Sequence, residues 1–184
     1  MNSFVKYDMA LLDFIYSQTK SDFLDKIIPV ITKLGNNGYI WIAIALFMLC
    51  IAKYRYYGGV LAMSLVINVI ICNVLLKPLV GRIRPCDINQ AIVLLIPRPI
   101  DFSFPSGHTT AAFTAATILF FMNKKLGIVV YAFSTLLAFS RLYLYVHYPS
   151  DIVCGAILGV LFGLTGIYLA NYLKKIMSKS ESAN

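Results

Sequence analysis

The sequence predicts an all-α, polytopic integral membrane protein with six transmembrane helices and a short amphipathic N-terminal helix. Hydrophobic residues make up 59% of the 184 residues, and the mean hydropathy is +0.77, which is too apolar for a soluble domain of this length. The apolar residues form long runs, and a bilayer core takes about 20 apolar residues per helix. We therefore expect residues 1–184 to form a single membrane-embedded domain.

The polar interruptions between the apolar runs define the predicted elements in order. Residues 4–19 have the pattern of an amphipathic helix lying at the membrane surface. The first span is the weakest, because it is short and contains Asp25, Lys26 and Pro29. A six-helix core over 23–173 then leaves a polar tail at 174–184. The six predicted spans are 23–34, 39–52, 57–76, 106–122, 126–145 and 151–173.

Basic residues between the spans predict the orientation of the chain. Alternation of six spans groups the basic segments 53–55, 124–125 and 174–179 on one face, together with both termini. The positive-inside bias makes this face cytoplasmic. The formal charge of +8 is thereby explained by basic loops, so we expect no nucleic-acid partner. The outer face receives the GNNG turn at 35–38 and the loops 77–106 and 141–151.

Three motifs meet on that outer face: KPLVGRIRP at 77–85, FPSGH at 104–108 and SRLYLYVHYPSD at 140–151. His147 and Asp151 in the third motif are four residues apart. If a helix begins near Pro149, the aspartate reaches back to one imidazole nitrogen, fixes the tautomer and leaves the other nitrogen free to attack. The alternative is that Asp151 only caps the helix.

The FPSGH motif indicates an anion site at the beginning of a helix. Pro105 and Ser106 would open a helix whose free N–H groups favour an anion, and Gly107 would let a phosphate approach the backbone closely. A bound anion would favour protonated His108, which could then give a proton to a leaving oxygen. The alternative is an ordinary helix start with an interfacial histidine.

Cations complete the predicted site. Lys77, Arg84 and Arg141 suit phosphate oxygens, while Arg82 is left open between a phosphate and a lipid headgroup, and Arg98 is expected to contact headgroups. Several cations with two histidines and no cluster of carboxylates are typical of metal-free phosphoryl transfer. Neither a Walker motif nor HExxH is present, so we expect no metal and no cofactor.

The three motifs together resemble the signature of the type 2 phosphatidic acid phosphatase superfamily. Its pattern is Lys-x6-Arg-Pro, then Pro-Ser-Gly-His, then Ser-Arg-x5-His-x3-Asp, and every position is filled between residues 77 and 151. The resemblance implies that His147 attacks phosphorus and forms a phosphohistidine, that Asp151 orients it, and that His108 protonates the leaving group. It implies phosphoryl-oxygen contacts from Lys77, Arg84, Ser106, Gly107 and Arg141.

The resemblance also implies a substrate class. A member of this family would remove the terminal phosphate of a lipid phosphate or diphosphate at the outer face of the plasma membrane. We expect undecaprenyl diphosphate, with phosphatidylglycerophosphate or phosphatidate as the alternative. The superfamily also contains vanadium-dependent haloperoxidases, which are soluble and much longer. A non-catalytic lipid or anion transporter stays as a third class, although it would not need the His147–Asp151 pair. The sequence does not indicate an oligomeric state.

Overall fold

The computed structural model describes the backbone of residues 3–181 and the side chains of residues 4–176. Within this range the chain contains helices and no β-strand, which confirms the all-α class. A 3₁₀ turn at Asn36–Gly38 joins α2 to α3, and a π-helical segment at Val69–Leu76 joins α4 to α5. The helices are α1 Ser3–Thr19, α2 Asp22–Leu34, α3 Tyr39–Cys50, α4 Arg55–Asn68, α5 Lys77–Val80, α6 Pro85–Ile88, α7 Gly107–Met122, α8 Lys124–Tyr143 and α9 Pro149–Glu181.

Four helical stretches in the described part of the chain are long and apolar enough to cross a membrane, so the predicted six-span count is not confirmed. They are Asp22–Cys50, Arg55–Ile88, Lys124–Tyr143 and Pro149–Ile176, and the apolar helix Gly107–Met122 is shorter. The first two predicted spans belong to the single stretch Asp22–Cys50. The GNNG turn does not fold them into a hairpin, because α2 packs mainly on α8 and α3 mainly on α4.

The N-terminal helix lies at the end of the bundle where α8 ends and α9 begins. Asp8 accepts a hydrogen bond from the backbone N–H of Ser150 at 3.1 Å, and Asp13 accepts one from the hydroxyl of Tyr145. This end carries the three motifs, so the expectation that both termini lie at the opposite end is wrong for the N-terminal helix. The physical reason is that the chain does not reverse at GNNG, since α2 packs mainly on α8 and α3 mainly on α4.

Helix α7 is the centre of the bundle and packs most extensively on α8 and α9. Its buried face consists largely of alanine and threonine. Three glycines on α9, Gly155, Gly159 and Gly163, face this surface, and a Cβ at Gly159 would lie 2.6 Å from the carbonyl oxygen of Thr110. Small residues at four-residue spacing let two helices approach closely in a membrane. This contact fixes the beginnings of α7 and α9 next to each other.

Large apolar side chains cover the outside of the bundle. Val66 on α4, Val129 on α8 and Ile157 on α9 are each more than half exposed. An apolar surface of this extent is typical of a protein surrounded by lipid. Helix α9 continues to Glu181, through most of the predicted polar tail, and residues 182–184 lie outside the described residues.

Candidate active site

A cavity of about 820 Å³ opens at the motif-bearing end of the bundle. Six of the eight predicted site residues line it: Lys77, Arg84, Gly107, His108, Arg141 and His147. The other two, Ser106 and Asp151, are fully buried behind its wall. Ile42, Leu65 and Val69 add an apolar side to the same cavity. A cationic end joined to an apolar side matches a ligand that carries both a phosphate and a hydrocarbon chain.

The imidazole of His147 is held in one tautomer by its neighbours. Its Nε2 lies 3.1 Å from Nη1 of Arg84, and a guanidinium only donates hydrogen bonds. Nε2 must therefore carry a lone pair, which places the ring proton on Nδ1. Burial, only partly offset by Asp151, lowers the pKa of His147 to about 3. His147 is therefore a neutral imidazole, and the lone pair on its Nε2 lies beside the guanidinium of Arg84, a group that suits phosphate oxygens.

Asp151 lies behind His147 on the first turn of α9. Its Oδ2 is 3.4 Å from Nδ1 of His147, accepts from the Ser103 hydroxyl at 2.5 Å, and accepts from the backbone N–H of Tyr148 at 3.0 Å. The last bond is the half of a capping box in which the side chain at position N3 accepts from the N-cap N–H. Asp151 thus caps its helix and also faces the imidazole. The cap and the contact with His147, which the sequence left as alternatives, are both present.

Arg82 faces neither the cavity nor an outer surface where a headgroup would bind. Its Nη1 lies 2.5 Å from Oδ1 of Asp151 and its Nη2 lies 2.5 Å from Oδ2 of Asp8. The guanidinium carbon is 3.8 Å from the centre of the Tyr148 ring, a close cation–π contact. Neither of the two roles that the sequence left open describes this arginine.

Lys77 and Arg84 share one carboxylate, that of Asp101. Lys77 donates to Oδ2, and Nη2 of Arg84 lies 2.7 Å from Oδ1. Both cations are nearly buried, whereas Asp101 is half exposed at the mouth of the cavity. Although its partial burial raises the pKa of Asp101, Lys77 and Arg84 together hold it at about 2. The pair of cations is therefore arranged to bind two anionic oxygens side by side.

Arg141 is a buried guanidinium whose hydrogen bonds are incomplete. Nη1 donates to the hydroxyl of Thr32 on α2 at 2.6 Å, while Nε is buried and has no hydrogen-bond partner among the described residues. A buried charged donor without an acceptor is costly unless a ligand supplies one. Since Arg141 lines the cavity, it adds a third cation facing the same space.

His108 lies on the first turn of α7 and has a different environment. Its Nε2 is 3.0 Å from Oδ1 of Asn36, an amide from the GNNG turn. Ser106 is the N-cap of α7 but makes no side-chain capping bond there; its hydroxyl accepts instead from Thr109 at 2.9 Å. The first-turn N–H groups are thus left without a side-chain cap, as an anion site requires.

Gly107 leaves room for a ligand, since a Cβ there would meet Asn73 and Lys77 only at 3.6 and 4.0 Å. Arg98 pairs with Asp87 at 2.9 Å at the edge of the cavity. Among the described residues, no group of three or more His, Cys, Asp or Glu side chains is arranged to hold a metal ion.

Sequence reasoning missed five residues of this arrangement: Asp8, Thr32, Asn36, Asp101 and Ser103. Asp101 and Ser103 immediately precede FPSGH, so their position in a polar loop next to a motif was a usable signal. Asn36 stands in a turn that was noted only as a turn. Asp8 and Thr32 had no local signal, because their partners are 74 and 109 residues away in the chain.

The chain is similar in sequence to known proteins. Residues 53–175 match the model of the PAP2 superfamily. Undecaprenyl-diphosphatase of Sulfolobus acidocaldarius is 32% identical over 140 residues, which cover 74% of this chain and 66% of the relative. Undecaprenyl-diphosphatase BcrC of Bacillus subtilis is 30% identical over 155 residues, 82% of this chain and 77% of the relative.

Solved structures show the same fold. The crystal structure of Aquifex aeolicus LpxE superposes with a TM-score of 0.75 at 25% identity and covers 86% of this chain and 93% of its own. The PAP2-type phosphatidylglycerolphosphate phosphatase of Bacillus subtilis superposes with a TM-score of 0.74 at 23% identity, covering 95% of this chain and 88% of its own. At that identity the second likeness concerns the fold alone.

Proposed function

The chain belongs to the PAP2 superfamily, and from that premise we propose that it is a membrane lipid phosphatase working through a phosphohistidine. The observation that carries the proposal is the position of Nε2 of His147. This atom is unprotonated, is backed through the ring by Asp151, and lies 3.1 Å from Arg84. A binding protein needs the cations but has no use for a nucleophile in this state.

The proposed reaction has two steps. In the first, the lone pair of Nε2 attacks phosphorus, the bond from phosphorus to the leaving oxygen breaks, and His108 gives that oxygen a proton. Lys77, Arg84, Arg141 and the uncapped N–H groups of α7 hold the phosphoryl oxygens, which replace Asp101 on the two shared cations. In the second, water attacks phosphorus, the bond from phosphorus to Nε2 breaks, and His108 accepts the proton of the water.

We propose undecaprenyl diphosphate as the substrate, with phosphatidylglycerophosphate or phosphatidate as the alternative. The names of the two Sulfolobus and Bacillus relatives favour the first. A phosphatidylglycerophosphatase B of Bacillus subtilis, 29% identical over 154 residues, keeps the second in consideration. The apolar side of the cavity suits a lipid tail in either case.

We propose that the protein resides in the plasma membrane with the site facing outward. The basic segments 53–55 and 124–125 lie at the end of the bundle opposite the site, which the positive-inside bias makes cytoplasmic. The C-terminal end of α9 would be cytoplasmic too, and α1 would lie at the outer face.

Single cysteines test this orientation in intact cells treated with an impermeant thiol reagent. Cysteines at Gln18 and Gln90 should react above the level of the parent protein, and one at Lys124 should not. Labelling at 124 alone would reverse the orientation, and labelling at 90 but not at 18 would show that α1 is not at the outer face.

Phosphate release by the purified full chain tests the function. The substrates are a prenyl diphosphate, phosphatidylglycerophosphate, phosphatidate and a soluble diphosphate, each with and without chelator. We expect release from at least one lipid substrate in excess chelator, and inhibition by vanadate, whose five-coordinate form resembles the transition state. Anion binding without release from any substrate would instead favour the non-catalytic binding or transport class. Release that requires added magnesium and ignores vanadate would overturn the metal-free mechanism.

A further inference from the structure

We propose that Arg82, held by Asp8 of the N-terminal helix, is a positioning residue that fixes Asp151 as the partner of His147. The inference rests on the proposed function and extends it to a segment outside the family match, which begins at residue 53. In this arrangement α1 does more than cover the bundle, because one of its side chains determines where the catalytic carboxylate points.

The two oxygens of Asp151 have separate partners. Oδ2 faces Nδ1 of His147, and it also accepts from Ser103 and from the backbone N–H of Tyr148. Oδ1 accepts from Nη1 of Arg82 at 2.5 Å, and Asp151 is entirely buried. Without Arg82, a buried anionic oxygen would lose its charged donor, which is costly. The carboxylate would then rotate or take up a proton, and either change would alter the oxygen that faces His147.

Arg82 is in turn fixed by Asp8. The two nitrogens of its fork point to different carboxylates, Nη1 to Asp151 and Nη2 to Asp8, each at 2.5 Å. Nη1 also donates to the Ser150 hydroxyl at 2.7 Å. Asp8 accepts two further bonds from Ser150, one from its backbone N–H and one from its hydroxyl. Asp8 therefore ties the guanidinium to the first turn of α9, the turn that carries Asp151.

The arrangement is buried on every side, which separates it from an ordinary surface ion pair. Asp8 is 7% exposed, and the Arg82 side chain is 11% exposed and stacked on Tyr148. Surface ion pairs contribute little because water screens them and their side chains are mobile. A buried planar guanidinium held between two carboxylates has a fixed orientation, and this fixes the orientation of the Asp151 carboxylate.

The experiment compares kcat and KM for two variants and one matched control in the full-length purified protein, with farnesyl diphosphate as the probe. Arg82→Gln should lower kcat about 100-fold and Asp8→Asn about tenfold, with KM nearly unchanged, because neither side chain faces the ligand. The double variant should lose no more than Arg82→Gln alone, since Asp8 acts through Arg82. Arg82→Lys should recover part of the loss.

Asp13→Asn is the matched control. Asp13 is also on α1 and binds the outer end of the bundle, but its partner is the neutral hydroxyl of Tyr145, which an amide oxygen accepts equally well. This variant should keep the parental kcat. If Asp13→Asn and Asp8→Asn lowered kcat equally, the losses would come from weaker packing of α1 on the bundle. The positioning role of Asp8 and Arg82 would then be wrong.

The pH profile supplies a readout that a purely structural role would not move. Removing the Arg82 cation makes protonation of both Asp151 and His147 easier, so the acid limb of kcat should move to higher pH. An unshifted limb in a folded Arg82→Gln protein would overturn the proposal. The charged or titratable groups around this pair are Asp8 on α1, Lys77 on α5, Arg82 and Arg84 on the following loop, Asp101 on the loop before α7, His108 on α7, Arg141 on α8 and Tyr148 before α9.

The outcomes for the proposal and for the proposed function are distinguishable. If the parent protein releases no phosphate from any lipid substrate, the function is wrong. If the parent is active and all variants at Asp8 and Arg82 match its kcat and its pH profile, only the positioning role is wrong. Thermal unfolding of each variant identifies those that lose activity by losing the fold.

Discussion

The two histidines of the cavity differ in how tightly hydrogen bonds fix the orientation and tautomer of each ring. His147 has Asp151 on one ring nitrogen and Arg84 on the other, and Asp151 itself has three further donors. Among the residues that the structure describes, His108 has one hydrogen-bond partner, the amide of Asn36 on a turn. This contrast indicates which role each ring can take. A nucleophile must present one lone pair in one direction, whereas an acid that meets different leaving groups benefits from a less constrained position.

The largest expected effect comes from removing the constrained ring. His147→Ala should abolish turnover and any acid-labile phosphoenzyme, because no other described side chain presents an unprotonated nitrogen to Arg84 in the cavity. Phosphate release and acid-quenched labelling with a ³²P-labelled substrate measure the two effects. Near-parental turnover in this variant would show that another group attacks phosphorus.

The next effect comes from weakening the constraint while keeping the ring. Asp151→Asn should retain the fold, because Arg82 holds the amide oxygen at the Oδ1 position. The NH2 group then faces Nδ1 of His147 and favours the wrong tautomer, so kcat should fall by about 10³- to 10⁴-fold. Steady-state kinetics on one lipid substrate check this, with thermal unfolding as the control. A loss below about tenfold would mean that Asp151 mainly caps α9.

Removing the less constrained ring should have an effect that depends on the substrate. An alkoxide leaving from phosphatidate needs a proton more than a phosphate leaving from a prenyl diphosphate. His108→Ala should therefore cost at least about tenfold more with phosphatidate, roughly 1.4 kcal/mol of barrier. An activated aryl phosphate should be affected least. Equal losses on all three substrates would mean that His108 mainly holds the phosphate.

A smaller effect should follow from removing the hydrogen bond between Asn36 and His108. Asn36→Ala should lower kcat about three- to tenfold on phosphatidate and less on a prenyl diphosphate, because one neutral hydrogen bond orients the ring. Asn37→Gly, on the same turn and tolerant of the positive φ of 50° at that position, is the matched control and should behave as the parent. The idea fails if the two variants are indistinguishable on both substrates.

The smallest effect concerns pH. The folded pKa of His147 is about 3, below the ordinary value of about 6.5, so its lone pair persists as the pH falls from 7 to 5. We expect kcat/KM to fall less than about threefold over this range, where an ordinary imidazole nucleophile would lose about 25-fold. The limbs of the full profile belong to the coupled pair of histidines rather than to either one.

The lowered pKa of His147 should keep activity nearly constant as the pH falls, but it should make the folded protein less stable. A histidine whose folded pKa is depressed lets the unfolded chain bind a proton that the folded chain does not. Stability should therefore decrease as the pH falls from about 6.5 toward 3, and His147→Gln should reduce this dependence. Thermal unfolding in detergent between pH 7 and 4 measures it.

Local patterns in the sequence were enough for the fold class and for the residues of the signature. Long apolar runs require helices in a bilayer, because backbone groups in lipid must bind within their own segment. The spacing of His147 and Asp151 places them on one turn of helix wherever the rest of the chain goes. Lys77, Arg84, His108 and Arg141 also meet in one cavity, as expected when their loops share one end of the bundle.

Three features depend on how distant segments pack: whether GNNG reverses the chain, where α1 lies, and what Arg82 binds. A four-residue turn is compatible with a hairpin or with a continued helix, and packing of α2 on α8 selects the second. Asp8 has no neighbour in sequence that marks it, and Arg82 next to Arg84 looks like one more phosphate ligand. Their roles follow from contacts between segments more than 60 residues apart, and such contacts depend on the packing of the whole chain rather than on any local pattern.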